Sequence, residues 1–429
     1  MSEAPEPRRR ARRHGRRTFQ AVLGPLFSPA VLLSLSLLSL FNPARSRAQR
    51  AEALGERWMR ALDGAGPHRV MSDPRERRLQ LVARFFETPS APPRRVSYRE
   101  DAEYFYPASA IKLFASLAAL RWWSEEREAR GLTLDTPLRY CTPRCRGRDR
   151  SNVEGGRITL RHELRKLHLV SSNEAFNRVY DLVGHERLHR ELLPFFPSLR
   201  VHHRLNTFED AETCLSSPAI EVLGAQGRWR IPQRRSGLQL APHPVSARQR
   251  VGDRSVDPHQ REIVEEPLDF SLKNGIRLED FQQALLSLYR PRHAAHPRFA
   301  AGIYRPWLNA LRGMMEEDPL RSENPRYRAR SQSELRFKPL LQGLLQRRQR
   351  AQLRYSNKAG KAYGFHIENA YIEDQESGRS VFITIGLYVN SDRTLNNNRY
   401  EYRRESIPLF QAVGASLGRW LAGGDEPWR

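Results

Sequence analysis

The spacing of apolar positions changes several times along the chain, and each change marks an element. "RAEALGERWMRAL" (50–62) carries apolar residues at helical intervals and predicts a helix. "RLQLVARFF" (Arg78 to Phe86) is a short, strongly apolar run that predicts a strand, ended by the turn-rich "TPSAPPRR". From Ser109 onward, apolar residues fill 110, 111, 113, 114, 117, 118 and 120, nearly all round a helix, as in one buried at the centre of a domain. Helical patterns recur in "ITLRHELRKLHLV", in "SNEAFNRVYDLVG" ending at Gly184, in "LEDFQQALLSLYR" and in "RPWLNALRGMME". Residues 224–262 are polar, rich in Pro, Gly, Arg and Gln and without a sustained period, which predicts an inserted, partly disordered loop. The C-terminal part turns to strands in "AQLRYSNKAG", "FHIENAYIED" and "SVFITIGLYVN", with "DQESG" turning between the last two. "SIPLFQAVGASLGRWLAGG" closes with a helix stopped by Gly423 and Gly424. This order predicts an α/β (α+β) fold: an antiparallel sheet built from both chain ends, flanked by helices, with a mostly helical subdomain inserted between its halves.

Composition changes this picture little and charge changes it more. The 429 residues are 39% hydrophobic, enough for a real core, and carry a formal charge of +24. Such a charge invites a nucleic-acid partner. However, only six of the 72 basic residues are lysine (Lys112, Lys166, Lys273, Lys338, Lys358 and Lys361), and the arginines are spread along the whole chain. That is the mark of a coding bias and not of a phosphate track, so no nucleic acid is expected. The same field would attract an anionic wall polymer or lipid headgroups. Cys141 and Cys145 could bridge in an oxidising compartment; with Cys214 they make neither a disulfide framework nor a metal site, and no metal or cofactor is expected.

The first fifty residues differ in kind. "RRRARRHGRR" is followed by the apolar "AVLLSLSLLSLF" (Ala30 to Phe41) and by small residues near Ala48, the anatomy of an export signal over 1–48. "RRTFQAVL" also resembles a twin-arginine signal. The alternative is an uncleaved anchor: residues 21–41 are long enough to span a membrane, though Gly24, Pro25 and Pro29 interrupt them. Residues 49–429 read as one domain carrying the polar insertion at about 224–262.

Candidate chemistry begins at "YFYPASAIKLFASLAAL" (104–120). Ser109 and Lys112 are three residues apart at the start of an apolar helix, so their side chains share a face. Free N–H groups in the first turn favour negative charge there. A lysine desolvated by apolar neighbours has a lowered pKa, and its neutral amine can take the serine proton. The competing interpretation is a capping serine followed by a snorkelling lysine. Two further stretches weigh against it: "LVSSNEAFNRVYDLVG", with Ser171 and Asn173, and "YSNKAGKAYG", with Lys358, Ala359, Gly360 and Lys361 on an expected strand.

The three stretches, in this order and context, resemble the S-x-x-K, S-D-N and K-T-G motifs of the penicillin-recognising serine enzymes, class A β-lactamases and D,D-peptidases. The resemblance extends over most of 75–420 outside the insertion, and comes nearest to exported class A β-lactamase-like serine hydrolases. It implies a β-lactamase/transpeptidase-like fold and acyl transfer through an acyl-serine, on a small-molecule or peptidoglycan-derived substrate. Ser109 would be the nucleophile and Lys112 its base. Ser171 would relay a proton to the leaving nitrogen, Asn173 would hold Lys112 and contact the substrate, and Lys358 would lend positive charge. Backbone N–H groups of Ser109 and Lys361, beside Gly360, would form the oxyanion hole.

The departures from the motifs are specific. Ala359 removes the hydroxyl of K-T-G, and Ser172 stands for the Asp of S-D-N. In "HRLNTFEDAETCLSSP", Glu209 falls five residues after Arg204, as in the loop that carries the deacylating glutamate of class A enzymes, but Asn206 and Thr207 break that loop's pattern. Glu209 or Glu212 would be the deacylating base, or both are solvated loop carboxylates. The corresponding readings are a β-lactamase-like hydrolase, a penicillin-binding protein that turns over slowly, and a non-catalytic wall-binding module.

Overall fold

The chain folds around one sheet that is buried on both faces. The computed structural model describes residues 43–62, 64–207 and 211–429. Strands β1 (Gln80–Phe86) and β2 (Arg94–Tyr98) come from the N-terminal side of the domain. Strands β3 (Leu353–Asn357), β4 (Gly360–Ala362), β5 (Phe365–Asp374) and β6 (Ser380–Tyr388) come from the C-terminal side. They pair in the order β3-β5-β6-β1-β2, with β4 also on β5, and every pairing is antiparallel. The β1–β6 pairing, Gln80 opposite Gly386 through Phe86 opposite Ser380, closes the two ends of the domain on each other.

Alternation along the strands divides the core in two. Leu81, Ala83 and Phe85 of β1 and Val381, Ile383 and Ile385 of β6 face helices α1 (Pro43–Arg60) and α6 (Ile407–Leu421), where Trp58 donates from Nε1 to Ser416 Oγ at 3.0 Å. Val82, Phe86, Phe365, Ile367 and Phe382 face the other way, toward α2 (Lys112–Arg130) and α5 (Leu278–Tyr289). Helix α2 is buried from Lys112 to Leu120, the burial its all-round apolar pattern predicts. The arrangement is the α+β one expected, with helices α3 (Leu160–Leu169) and α4 (Asn173–Val183) in the inserted region.

Three local differences have physical reasons. The run 351–360 is not one strand: it breaks at Lys358–Ala359, between β3 and β4, so Lys358 lies in the break although its N–H still donates to Asn369 O at 3.0 Å. Strand β2 was hidden behind the Pro- and Arg-rich turn signal. The polar stretch 224–262 carries short strands set in irregular backbone. Ala219–Gly224 and Gly227–Ile231 form a hairpin over a two-residue turn, with Gly227 at φ 117, and join Pro137–Cys141 in a second sheet. Further on, Arg254–Val256 runs parallel to Thr394–Leu395, and Arg393 forms an ion pair with Asp253 at 2.6 Å.

Residues 48–429 form one compact unit. Most of the expected export segment, 1–42, lies outside the described residues, whereas 43–48 open helix α1. Among the described residues no helix is long and apolar enough to cross a membrane.

Candidate active site

Ser109 lies in a single 3-10 turn, Ala108–Ile111, that runs directly into α2, so the helix proper begins at Lys112. Ala108 holds φ 47, a left-handed conformation that costs a residue with a Cβ free energy and that the surrounding packing must impose. Its neighbours are buried, while Ser109 is half-buried and borders a cavity of about 1150 Å³. Ser171 occupies a second left-handed position, φ 59, in the three-residue break between α3 and α4. Ser172 then caps α4, its side chain accepting from Ala175 N–H at 3.2 Å. The cap belongs to Ser172, which frees Asn173 to face the site.

Lys112 is fully buried. Its Nζ donates to the Ser171 carbonyl oxygen, lies 3.3 Å from Ser171 Oγ, and donates to Asn173 Oδ1 at 2.7 Å. Lys358, also buried, donates to Ser171 Oγ at 2.9 Å and to Ala359 O at 3.1 Å. Two lysines thus converge on one hydroxyl, and each of these acceptors is a neutral oxygen. Burial, and then the nearby Lys358, push the Lys112 amine well below the ordinary lysine value. Burial pushes Lys358 down to about 7, against the opposing pull of Glu368. The hydrogen bonds of Lys112 go to Ser171 and Asn173 and not to Ser109, so the structure joins the first and second motifs through the lysine.

The third motif closes the site from the sheet. At Gly360 an added Cβ would fall 2.5 Å from Pro107 O and 2.8 Å from the nitrogens of Ser109 and Ala110. Only glycine lets β4 lie directly on the turn that carries Ser109. Strand β4 pairs on one side only, with β5, so part of its backbone is not taken up by the ladder. Lys361 is exposed on the cavity wall, 5.7 Å from the Tyr402 ring centroid.

The cavity extends past Ser109, Asn173 and Lys361 between Tyr106, Tyr363 and the inserted segment. Two carboxylates in its wall cap their own turns: Asp257 accepts from His259 and Gln260 N–H groups, and Asp269 from Ser271 N–H. Of the two deacylation candidates, Glu209 lies outside the described residues. Glu212, on the short helix Ala211–Cys214, is 79% exposed in its side chain and forms an ion pair with Arg235 at 2.8 Å. Asn177 pins the neighbouring loop through Leu205, donating to its carbonyl at 3.0 Å and accepting from its N–H at 2.9 Å. Cys141 and Cys145 are disulfide-bonded, and the buried Cys214 accepts at Sγ from Arg204 N–H at 3.4 Å. Among the described residues no group of His, Cys, Asp or Glu could hold a metal ion.

Glu368 is the group the sequence reading missed. It is fully buried on β5, with Tyr355 OH donating to Oε1 at 3.0 Å and Asn357 Nδ2 donating to Oε2 at 3.2 Å. The signal was present in "FHIENAYIED": His, Glu and Asn crowded into a strand whose apolar neighbours predict burial on both faces.

No protein-family model and no curated protein matches the chain. Solved structures do. A β-lactamase from Desulfarculus baarsii is 14% identical with a TM-score of 0.47, over 86% of this chain and 98% of its own. One from Sphaerobacter thermophilus is 13% identical with a TM-score of 0.45, over 83% and 96%. One from Burkholderia vietnamiensis is 11% identical with a TM-score of 0.45, over 85% and 98%. Likenesses this remote decide nothing about the reaction, which has to be argued from the side chains above.

Proposed function

We propose that the protein is an exported serine acyl-hydrolase of β-lactamase type, acting through an acyl-serine at Ser109 on β-lactams or related amides and esters. The single observation that supports this best is the convergence of Lys112 and Lys358 on Ser171, through hydrogen bonds to neutral oxygens, beside a half-buried serine at the edge of a cavity. A neutral amine has two N–H bonds and one lone pair. With the N–H bonds spent on the Ser171 carbonyl and Asn173 Oδ1, the lone pair of Lys112 is left to accept a proton.

In the proposed reaction, Lys112 takes the Ser109 hydroxyl proton as Oγ bonds to the substrate carbonyl carbon. The carbonyl electron pair moves to oxygen, where N–H groups of Ser109 and Lys361 would hold it, each worth about 3 kcal/mol. As the tetrahedral species collapses, the bond to the leaving nitrogen or oxygen breaks. Lys112 returns its proton to that atom through Ser171, which passes on its own proton and takes another. The amine, neutral again, can then accept a proton from water attacking the ester and return it to Ser109 Oγ as the acyl–oxygen bond breaks, which releases the acid. Lys358, when protonated, steadies Ser171 and attracts an anionic substrate.

The test is intact-protein mass spectrometry and nitrocefin turnover with a fluorescent penicillin, comparing wild type with Ser109→Ala. Expected is one acyl adduct and hydrolysis in wild type, and neither in Ser109→Ala. An adduct without turnover moves the reading to a slowly released penicillin-binding protein. Labelling that survives in Ser109→Ala, or its absence in both proteins with an activated ester tried as well, overturns the acyl-serine assignment.

A further inference from the structure

The hairpin at 219–231 and the chain just after it border a second cavity, of about 600 Å³, which shares no lining residue with the cavity beside Ser109. Trp122 of α2 and Val183 at the end of α4 line it, together with Trp229 and Ile231 of the hairpin. The two indoles meet edge to face, 5.8 Å between centroids. Arg130 lies over the Trp229 ring at 3.9 Å and Arg187 over Trp122 at 5.0 Å. A concave, largely apolar space with a few converging polar groups is the usual form of a small-molecule site.

The acids on this wall already have cations. Glu126 pairs with Arg130 at 2.5 Å, Glu186 with Arg190 at 2.6 Å and Glu191 with Arg187 at 3.3 Å. Arg235 in turn pairs with Glu212. Arg234 is the cation left over. Half-buried against the cavity, it donates from Nη2 to the Asp181 and Leu182 carbonyls, at 2.6 and 2.9 Å. Among the described residues no acid lies within ion-pair reach of it, and its Nε–H and Nη1–H groups make no hydrogen bond. Ser217 stands directly opposite Arg234 in the short ladder of Ser216–Ser217 with Arg234–Arg235, so the two side chains project from the same face. Ser217 also lines the cavity; it is 2% exposed, and its Oγ has no hydrogen-bond partner. A buried hydroxyl without a partner is costly and calls for an explanation.

We propose that this cavity is a second ligand site, for a small carboxylate that carries a flat apolar body. One carboxylate oxygen accepts from the unused N–H groups of Arg234, the other accepts from the Ser217 hydroxyl, and the ring lies against Trp229 and Ile231. The guanidinium supplies a fork matched to a carboxylate. The indole and aliphatic walls select against inorganic phosphate or sulfate, which gain nothing from apolar surface, and favour an aryl carboxylate. The inference stands apart from the acyl-serine reading, because no residue given a role in that reaction borders this cavity.

The probe is 2-naphthoate, titrated into the full chain by calorimetry, with 2-naphthalenemethanol and acetate as partial probes. The indole N–H signals of Trp122 and Trp229 are followed by NMR in parallel, since no tryptophan lines the Ser109 cavity. Expected is saturable binding of naphthoate that moves both indole signals. The alcohol, which lacks the charge, should bind about tenfold more weakly, and acetate, which lacks the ring, should not bind detectably. Arg234→Gln should weaken naphthoate about tenfold. Ser217→Ala should weaken it about threefold while the melting temperature of the free protein holds or rises, because an unpartnered buried hydroxyl has gone. Ser217→Ala and Trp229→Leu carry the test if Arg234→Gln, which also loses the bonds to the end of α4, does not fold. Any of four results overturns the proposal: no saturable binding up to the solubility limit of naphthoate, equal affinity for the alcohol, affinity unchanged in the folded variants, or binding that leaves both indole signals in place.

Discussion

Two lysines show what burial does under two kinds of partner. Lys166, on α3, is nearly as buried as Lys112, yet it faces Asp149 at 2.6 Å, Glu174 at 3.3 Å and Glu163 at 3.9 Å. Arg178 joins the same acids, 2.9 Å from Asp149 and 3.2 Å from Glu163. Burial alone would raise the Asp149 carboxyl, but hydrogen bonds from Lys166 and Ser151 outweigh it and hold the group well below the usual carboxylate range. That cluster is a brace: it ties the two helices on either side of Ser171 to the loop carrying Asp149. Lys112 meets only carbonyl, amide and hydroxyl oxygens, and its proton is correspondingly loose. The residue type and the burial are alike. On the proposed reading, the partners decide whether a lysine stiffens the fold or serves as a base.

The largest effect that follows is at Lys112. Lys112→Met should cost about 10³-fold or more in acylation rate, the scale of a lost general base, while thermal stability holds or rises because a desolvated amine is replaced by an apolar chain of similar length. Kinetics and melting of the same sample check both halves. Loss of stability without loss of rate would reverse the roles assigned to the two lysines. Next comes Gly360→Ala, which leaves every lysine in place but drives a Cβ against the Ser109 turn. A displacement of about 1 Å between β4 and Ser109 should slow acylation about 10²-fold, read as a fall in kcat more than a rise in KM. The smallest effect on rate is expected at the brace. Asp149→Asn should cost roughly 3 kcal/mol in denaturant unfolding, since it strips a buried cation cluster of one acid. The acylation rate of the folded protein should change by less than about threefold, under 1 kcal/mol of barrier.

The elements that carry the site were legible because they signal locally. The all-round apolar helix after Lys112, the capped start of α4 and the apolar run of β6 each follow from pattern and punctuation. The sequence set Lys112 against Ser109 and Asn173; the structure bonds it to Asn173 and to Ser171, and the meeting of Ser171 with both lysines was not foreseen. What was hidden depends on packing across the sheet. The break at Lys358–Ala359 looks like ordinary strand sequence and exists because β4 must drop onto the Ser109 turn. Glu368 carries no local mark of its partner. The hairpin at 219–231 was masked by arginines whose side chains point outward from a thin sheet.

The claim on which the rest depends is that burial leaves the Lys112 proton far more loosely held than that of an ordinary lysine. A titration of the six lysines by side-chain carbon NMR, with Lys112→Met used to assign its signal, measures this directly. The account predicts a Lys112 midpoint well below the ordinary lysine value, displaced by desolvation and then by Lys358. Because the unfolded chain keeps that proton up to the ordinary lysine value of 10.5, unfolding would take up a proton between the two, and stability would rise with pH across that window. A Lys112 midpoint near 10.5 would mean a charged ammonium at Ser171 and would contradict its role as the base.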